Sequence, residues 1–187
     1  YHGTMPGIPD FLPYFPFDAV RDEQRQAIEF TLDAFLNQNK RFVILEMGTG
    51  CGKSGVAVAL ARCLASLGPT AVPTLDPEAP ELGVTGAYVL TTQKILQAQY
   101  MDDFGPTSGK NMMRSLKSAS NYQCRYYNDM RCSDARRLLT QLRTQLIGTD
   151  FHKCCRTTCP YMMDKEEFTE FPVGITNFSY FLAETMY

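Results

Sequence analysis

No stretch of this chain is apolar for long enough to span a bilayer, and none reads as a secretory leader. The expectation is an intracellular protein, in cytoplasm, nucleoid or nucleus, with no membrane partner. An excess of one charge is also missing. Eighteen basic and 20 acidic side chains leave a net charge of −2, which by itself neither favours nor excludes a nucleic-acid partner. No internal repeat appears, which sets aside solenoid architectures. The cysteines do not form the two tight C-x2-4-C pairs usual in zinc fingers and ribbons, so those particular modules are set aside too. What remains is 187 residues with 44% apolar content, enough for one substantial core and a small second module. The chain starts at Tyr1 rather than Met, as expected of something processed or excised from a longer protein.

The densest signal is Leu45–Ser54, L-E-M-G-T-G-C-G-K-S. Ahead of it, Arg41–Leu45 is a short apolar and β-branched run that predicts a strand. Behind it, Gly55–Leu64 predicts an apolar helix. Gly48, Gly50 and Gly52 would let the backbone turn tightly, aiming N–H groups, with those of Thr49 and Cys51, at an anion on the helix N-terminus. Lys53 would reach the β- and γ-phosphates of ATP, and the Ser54 hydroxyl would sit on Mg²⁺. The strict loop pattern has a glycine where this chain has Met47. A glycine-rich turn that binds nothing would leave the Lys-Ser pair unexplained.

Periodicity places the rest. Residues 1–20, rich in proline and aromatics, read as an extended lead-in, and Arg21–Asn37 as a helix with Ala27, Ile28, Leu32, Phe35 and Leu36 at helical spacing. Gly68–Gly83 holds four prolines and reads as a loop. Gly86–Thr91 reads as a strand and Thr92–Phe104 as a helix. Strand, helix and strand make a βαβ unit and hence a parallel sheet. Residues 105–171 lose this rhythm, apart from a helix near Asp134–Leu146. Strand character resumes at Pro172–Asn177, and Phe178–Met186 reads as a helix. The fold class is therefore α/β, a parallel sheet flanked by helices with a P-loop, and with a small, mainly helical, cysteine-rich insert. The expected units are 1–109, the insert 110–171, and the return 172–187.

That insert differs chemically from its surroundings. Residues 110–156 carry a charge of +7 inside flanks of −5 and −4, the footprint expected of phosphate-backbone contact. Five of the seven cysteines fall in or beside it, spaced C-x7-C-x21-C-C-x3-C-P-Y. In a reducing compartment such a cluster points to metal before disulfides. Cys124, Cys132, Cys159 and one of the adjacent pair Cys154 and Cys155 would make four ligands. They suit either a 4Fe–4S cluster or Zn²⁺; unliganded buried thiols are the plain alternative. Cys51 and Cys63 read as structural or incidental.

Together these motifs resemble the iron–sulfur helicases of superfamily 2, the XPD/DinG family, over most of the chain. F-P-F-D-A-V-R-D-E-Q (Phe15–Gln24) is similar to the segment ahead of that family's phosphate loop, and implies adenine recognition by Gln24. L-E-M-G-T-G-C-G-K-S resembles its Walker A motif, and helicase-type loops often relax the position of Met47. Y-V-L-T-T-Q-K-I-L-Q-A-Q (Tyr88–Gln99) resembles a motif that touches the DNA strand. S-N-Y-Q-C (Ser120–Cys124) and C-P-Y-M-M (Cys159–Met163) resemble the entry and exit of the iron–sulfur insert. G-I-T-N-F-S-Y-F-L (Gly174–Leu182) resembles the strand and turn beyond the insert, with Phe178 where the family often has His. The resemblance implies a RecA-like form of the parallel sheet, and it favours iron–sulfur over zinc. It implies the N-terminal part of an ATP-dependent 5′→3′ helicase acting on single-stranded or forked DNA, among repair, replication or transcription proteins. The family's Asp-Glu-x-His box does not occur, so this chain alone is expected to bind nucleotide weakly and hardly hydrolyse it. Arg114, Lys117, Arg125, Arg131, Arg136, Arg137 and Arg143 are the candidates for phosphate contact, and Tyr122, Tyr126 and Tyr127 for base stacking. The rival readings are a P-loop ATPase with a zinc module and a non-catalytic DNA- or partner-binding fragment.

Overall fold

The computed structural model describes residues 6–68, 86–105 and 113–185; the side chain of Arg143 and the proline-rich loop beyond Gly68 lie outside that set. The first helix, α1 (Asp22–Leu36), opens with Asp22 and Glu23 at its positive end, and Gln24 Oε1 accepts from the Arg21 N–H at 3.0 Å. Its Ile28 and Leu32 are buried against Phe11, Phe15 and the Val56, Ala59 and Cys63 face of α2 (Lys53–Ser66). Residues 1–20 are thus more than a lead-in. Phe11 and Phe15 are core residues on either side of a single 3₁₀ turn at Leu12–Tyr14.

The sheet is parallel, in the order β1 (Ala87–Thr91), β3 (Val173–Asn177), β2 (Met113–Leu116). Both β1 and β2 pair with β3, Ala87 and Met113 each opposite Val173. The central strand is buried from Val173 to Thr176, as a two-sided parallel strand requires. Gly174 belongs there because a Cβ would lie 2.6 Å from the Phe168 ring. Helix α3 (Lys94–Phe104) comes after β1, and Gln97 fixes it: its amide Nε2 donates to Ser115 Oγ and to the Leu116 carbonyl, each at 2.7 Å.

Two expectations need correction. Residues 113–116, read as part of an irregular segment, form β2 in the main sheet, because Met113 and Leu116 face the cores on its two sides. Arg41–Leu45 is extended but joins no ladder among the described residues. Val43, Leu45 and Met47 are partly covered while Phe42 and Ile44 stand 83% and 92% exposed, so the alternation of a strand is present without its pairing.

Between β2 and β3 the chain builds four short helices: α4 (Cys132–Gln141), α5 (Arg143–Leu146), α6 (Asp150–Thr157) and α7 (Pro160–Glu170). The helix expected near Asp134–Leu146 is therefore two, broken at Leu142. Helix α8 (Phe178–Thr185) closes the described chain. No helix among the described residues is long and apolar enough to cross a membrane.

Candidate functional site

Glycine chemistry shapes the loop between the extended segment and α2. Gly50 (φ 83°) and Gly52 (φ 73°) sit in the left-handed region, which side chains disfavour. Gly52 also lies so close to the Gln24 amide that a Cβ would collide with it. The loop therefore delivers Lys53 and Ser54 to the first turn of α2, where unpaired amides and the helix dipole favour an anion. Lys53 Nζ folds back across the loop and donates to the carbonyls of Met47 (3.1 Å) and Gly48 (3.0 Å). Met47 itself packs on the α1–α2 core, a use for a side chain where the strict pattern has none. Beside the loop lies a cavity of about 370 Å³ walled by Gln26, Phe30, Glu46, Gly48 and Cys51.

Gln24 lies at this loop, and both ends of its buried amide are engaged. Oε1 caps α1, and Nε2 donates to the Cys51 carbonyl at 3.1 Å. Arg21, which the sequence reading passed over, donates from Nη1 to the Gly50 carbonyl at 3.1 Å. Its position three residues before Gln24, at the start of the same helix, was the available signal.

A second cleft, about 300 Å³, opens at the carboxyl ends of the strands, where parallel sheets commonly take ligands. Lys94, Gln97, Lys117, Ser118, Asn177 and Ser179 line it. Asn177 joins the motif ends: its Nδ2 donates to the Thr92 carbonyl at 3.2 Å, while its Oδ1 accepts from the Ser179 N–H at 3.0 Å. Lys94 Nζ reaches Asn121 Oδ1 at 3.2 Å.

In the insert, Cys124, Cys132, Cys155 and Cys159 are buried, and Cys154 is turned outward to Thr158 Oγ1 at 3.2 Å. Of the adjacent pair, Cys155 is the inward one, sharing a small core with Cys124, Ala135 and Phe151. Cys132 and Cys159 meet with their sulfurs 3.8 Å apart. Burial, then the hydrogen bond with Cys159, pushes Cys132 up to about 11; burial and the neighbouring thiols push Cys155 up to about 12. The expected four-thiolate group over Cys124, Cys132, Cys154 (or Cys155) and Cys159 is nevertheless not assembled. Among the described residues no three His, Cys, Asp or Glu side chains are gathered closely enough to hold a metal ion. Helix packing sets the thiols as two pairs, Cys132 with Cys159 in one small core and Cys124 with Cys155 in the other, with Cys154 outside both.

The basic candidates divide. Arg114 pairs with Glu167 at 3.1 Å and lies over Phe171, Arg136 lies over Tyr161, and Arg137 pairs with Asp134 at 3.8 Å. Arg125 and Arg131 are exposed, and Lys117 lines the strand-end cleft. Tyr122 packs edge-on to Tyr161, and burial with its bond to Asp164 pushes its hydroxyl well above the usual tyrosine range. Tyr126 and Tyr127 instead stand partly exposed over Phe151.

Residues 18–145 fit the model of the family described as ResIII, Type III restriction enzyme, res subunit, which is of the superfamily 2 helicase type. That span runs from the entry to α1 through the phosphate loop, the strand-end motif and the first helices of the insert. Comparisons with curated proteins and with solved structures give no match.

Proposed function

We propose a mechanism for a chain that belongs to the family of Type III restriction enzyme res subunits, and is thereby part of an ATP-dependent nucleic-acid motor. In our reading it is the nucleotide-binding portion of a 5′→3′ DNA helicase. Residues 1–109 and 172–187, with the strand Met113–Leu116, belong to the motor unit, and the rest of 110–171 is an insert that meets the nucleic acid. The observation that carries the reading is the phosphate loop, with Gly50 and Gly52 in left-handed geometry directly before Lys53 at the start of α2.

The chemistry rests on what these groups touch. Lys53 now satisfies two loop carbonyls. ATP would offer charged phosphate oxygens in their place, and charge-assisted bonds are the stronger. Ser54 would hold Mg²⁺, and the α2 amides would face the phosphates. Gln24 and Arg21 clamp the loop carbonyls and keep its amides turned inward. Preorganised donors of this kind stabilise charge that develops on a transferred phosphoryl group. At the strand-end cleft, Lys94 and Lys117 would take strand phosphates, with Tyr126, Tyr127, Arg125 and Arg131 of the insert as further contacts.

The insert's thiols suit an all-cysteine iron–sulfur cluster, or zinc, by donor chemistry, but their placement falls short of either. No step of this reading runs through a metal. Iron, sulfide and zinc analysis of anaerobically purified chain tests the insert: iron with matching sulfide establishes the iron–sulfur reading, and metal-free protein removes it. For the motor site the test is Lys53→Ala, measured by Mg·ATP titration. Losing charged hydrogen bonds worth about 1.5–3 kcal/mol weakens nucleotide binding about ten- to a hundredfold and leaves single-strand affinity in place. Unchanged nucleotide affinity would mean that the loop is not the site.

A further inference from the structure

Helix α2 carries a cation where its neighbours are apolar. Arg62 is 1% exposed, on the same helix as the buried Val58, Ala59, Ala61 and Cys63. A guanidinium brings five N–H donors. One, on Nη2, reaches the Phe104 carbonyl at 2.6 Å, while Nε has no partner among the described residues. The ion pairs formed by the described residues do not include Arg62. An apolar side chain there would bury more favourably, so packing alone gives no reason for an arginine.

What Arg62 touches gives a reason. Phe104 is the last residue of α3, where helix carbonyls lack helical partners and the negative end of the dipole favours a cation. At its other end α3 carries Lys94 and Gln97 into the strand-end cleft, and Gln97 holds that end to Ser115 and Leu116. One rigid helix thus has the cleft at its start and Arg62 at its finish. Arg62 in turn belongs to the helix that begins with Lys53 and Ser54.

We infer that Arg62 is a positioning residue that couples nucleotide binding at α2 to single-strand binding at the α3 cleft. The inference rests on the motor reading above. A directional hydrogen bond makes α3 move with a displacement of α2, whereas apolar surfaces would slide past each other. Linkage then works both ways: Mg·ATP tightens the strand, and the strand tightens Mg·ATP by the same factor.

The test uses the whole chain, Mg·ATP and a fluorescein-labelled oligodeoxythymidine, each titrated with and without the other. The wild-type chain should show a linkage factor of about fivefold or more. Arg62→Met, similar in length and without donors, should keep both separate affinities and melt no earlier than wild type, yet bring the factor to about one. Arg62→Lys, which retains a cationic donor group, should restore part of it. A purely structural arginine predicts the opposite pattern, an earlier melt with the factor intact, and that result overturns the inference. If the Met variant does not fold, Arg62→Leu, which also lacks a donor, decides: a wild-type factor there also overturns it. A wild-type chain that binds both ligands independently defeats the coupling alone, whereas one that binds neither defeats the motor reading beneath it.

Discussion

The phosphate loop and the insert are each marked by one residue type, glycine in the first and cysteine in the second, yet they are built by different forces. In the loop, backbone conformation does the work. Gly50 and Gly52 take dihedrals that other residues resist, and the bonds that hold the loop come from α1, at Arg21 and Gln24. In the insert, side-chain burial does the work. Helices as short as α5 and α6 are marginal alone and persist because Cys124, Ala135, Phe151 and Cys155 pack into one small core, and Cys132, Cys159, Tyr161 and Phe168 into another. A functional loop can thus be specified by a few residues in sequence, whereas a functional insert depends on which faces meet.

Removing the insert's packing should have the largest effect and test whether the regions are separable. Phe151 is 2% exposed and carries both Tyr126 and Tyr127 on its ring. Phe151→Ala should cost about 3–5 kcal/mol in the part of a denaturation curve that reports the insert. Mg·ATP affinity, measured at low denaturant, should stay at its wild-type value. If it falls as well, the two regions fold as one unit and the contrast drawn above is wrong.

The converse change strikes the loop. Gly52→Ala adds about 1–2 kcal/mol of left-handed strain and drives a methyl into the Gln24 amide. Nucleotide affinity should drop while the near-ultraviolet signal of the tyrosine-rich insert is kept. Retained affinity would show that the loop reaches its binding geometry without a left-handed residue there.

The smallest effects are those of pH, and they separate the motor core from its tie to the insert. Burial, with the charge of Asp10, pushes the Cys63 thiol up from 9.0 to about 11. A raised folded value means that this contribution is present below about pH 9 and fades as pH rises towards 11. Cys63→Ala should flatten that alkaline slope. Glu184 behaves the other way. Burial opposes its ionisation, but Lys165, which ties α7 to α8, outweighs that and holds the carboxyl below its ordinary value. Its contribution is present above the ordinary carboxylate range and fades on acidification, and Glu184→Gln should remove that acid slope. Equal slopes in wild type and variants would mean that other groups govern both limbs.

Legibility splits along the same divide. The phosphate loop, α1, β1, β3 and the parallel sheet could be read from glycine spacing and apolar periodicity, since each reports a local backbone preference. Strand β2 could not: Met113-Arg114-Ser115-Leu116 is too short and mixed to show a period, and it becomes a strand because β3 offers it an edge. Gln24 could be picked out as a candidate, and its bond to the Arg21 N–H is a local helix cap, but its bond to the Cys51 carbonyl is a tertiary fact. The insert's cysteines were visible as a cluster in sequence, yet spacing along a chain does not give distance across short helices whose packing decides it.

Sequence alone determined the α/β class, the glycine loop leading into a helix and the residues that could meet a phosphate, because glycine dihedrals and helix starts are local properties. Only the tertiary structure decided that Cys155 rather than Cys154 turns inward, that Arg114 and Arg136 are engaged with Glu167, Phe171 and Tyr161, and that Arg62 joins α2 to α3. Those outcomes depend on which surfaces exclude water from one another. That is settled by residues far apart in the chain, 42 positions in the case of Arg62 and Phe104.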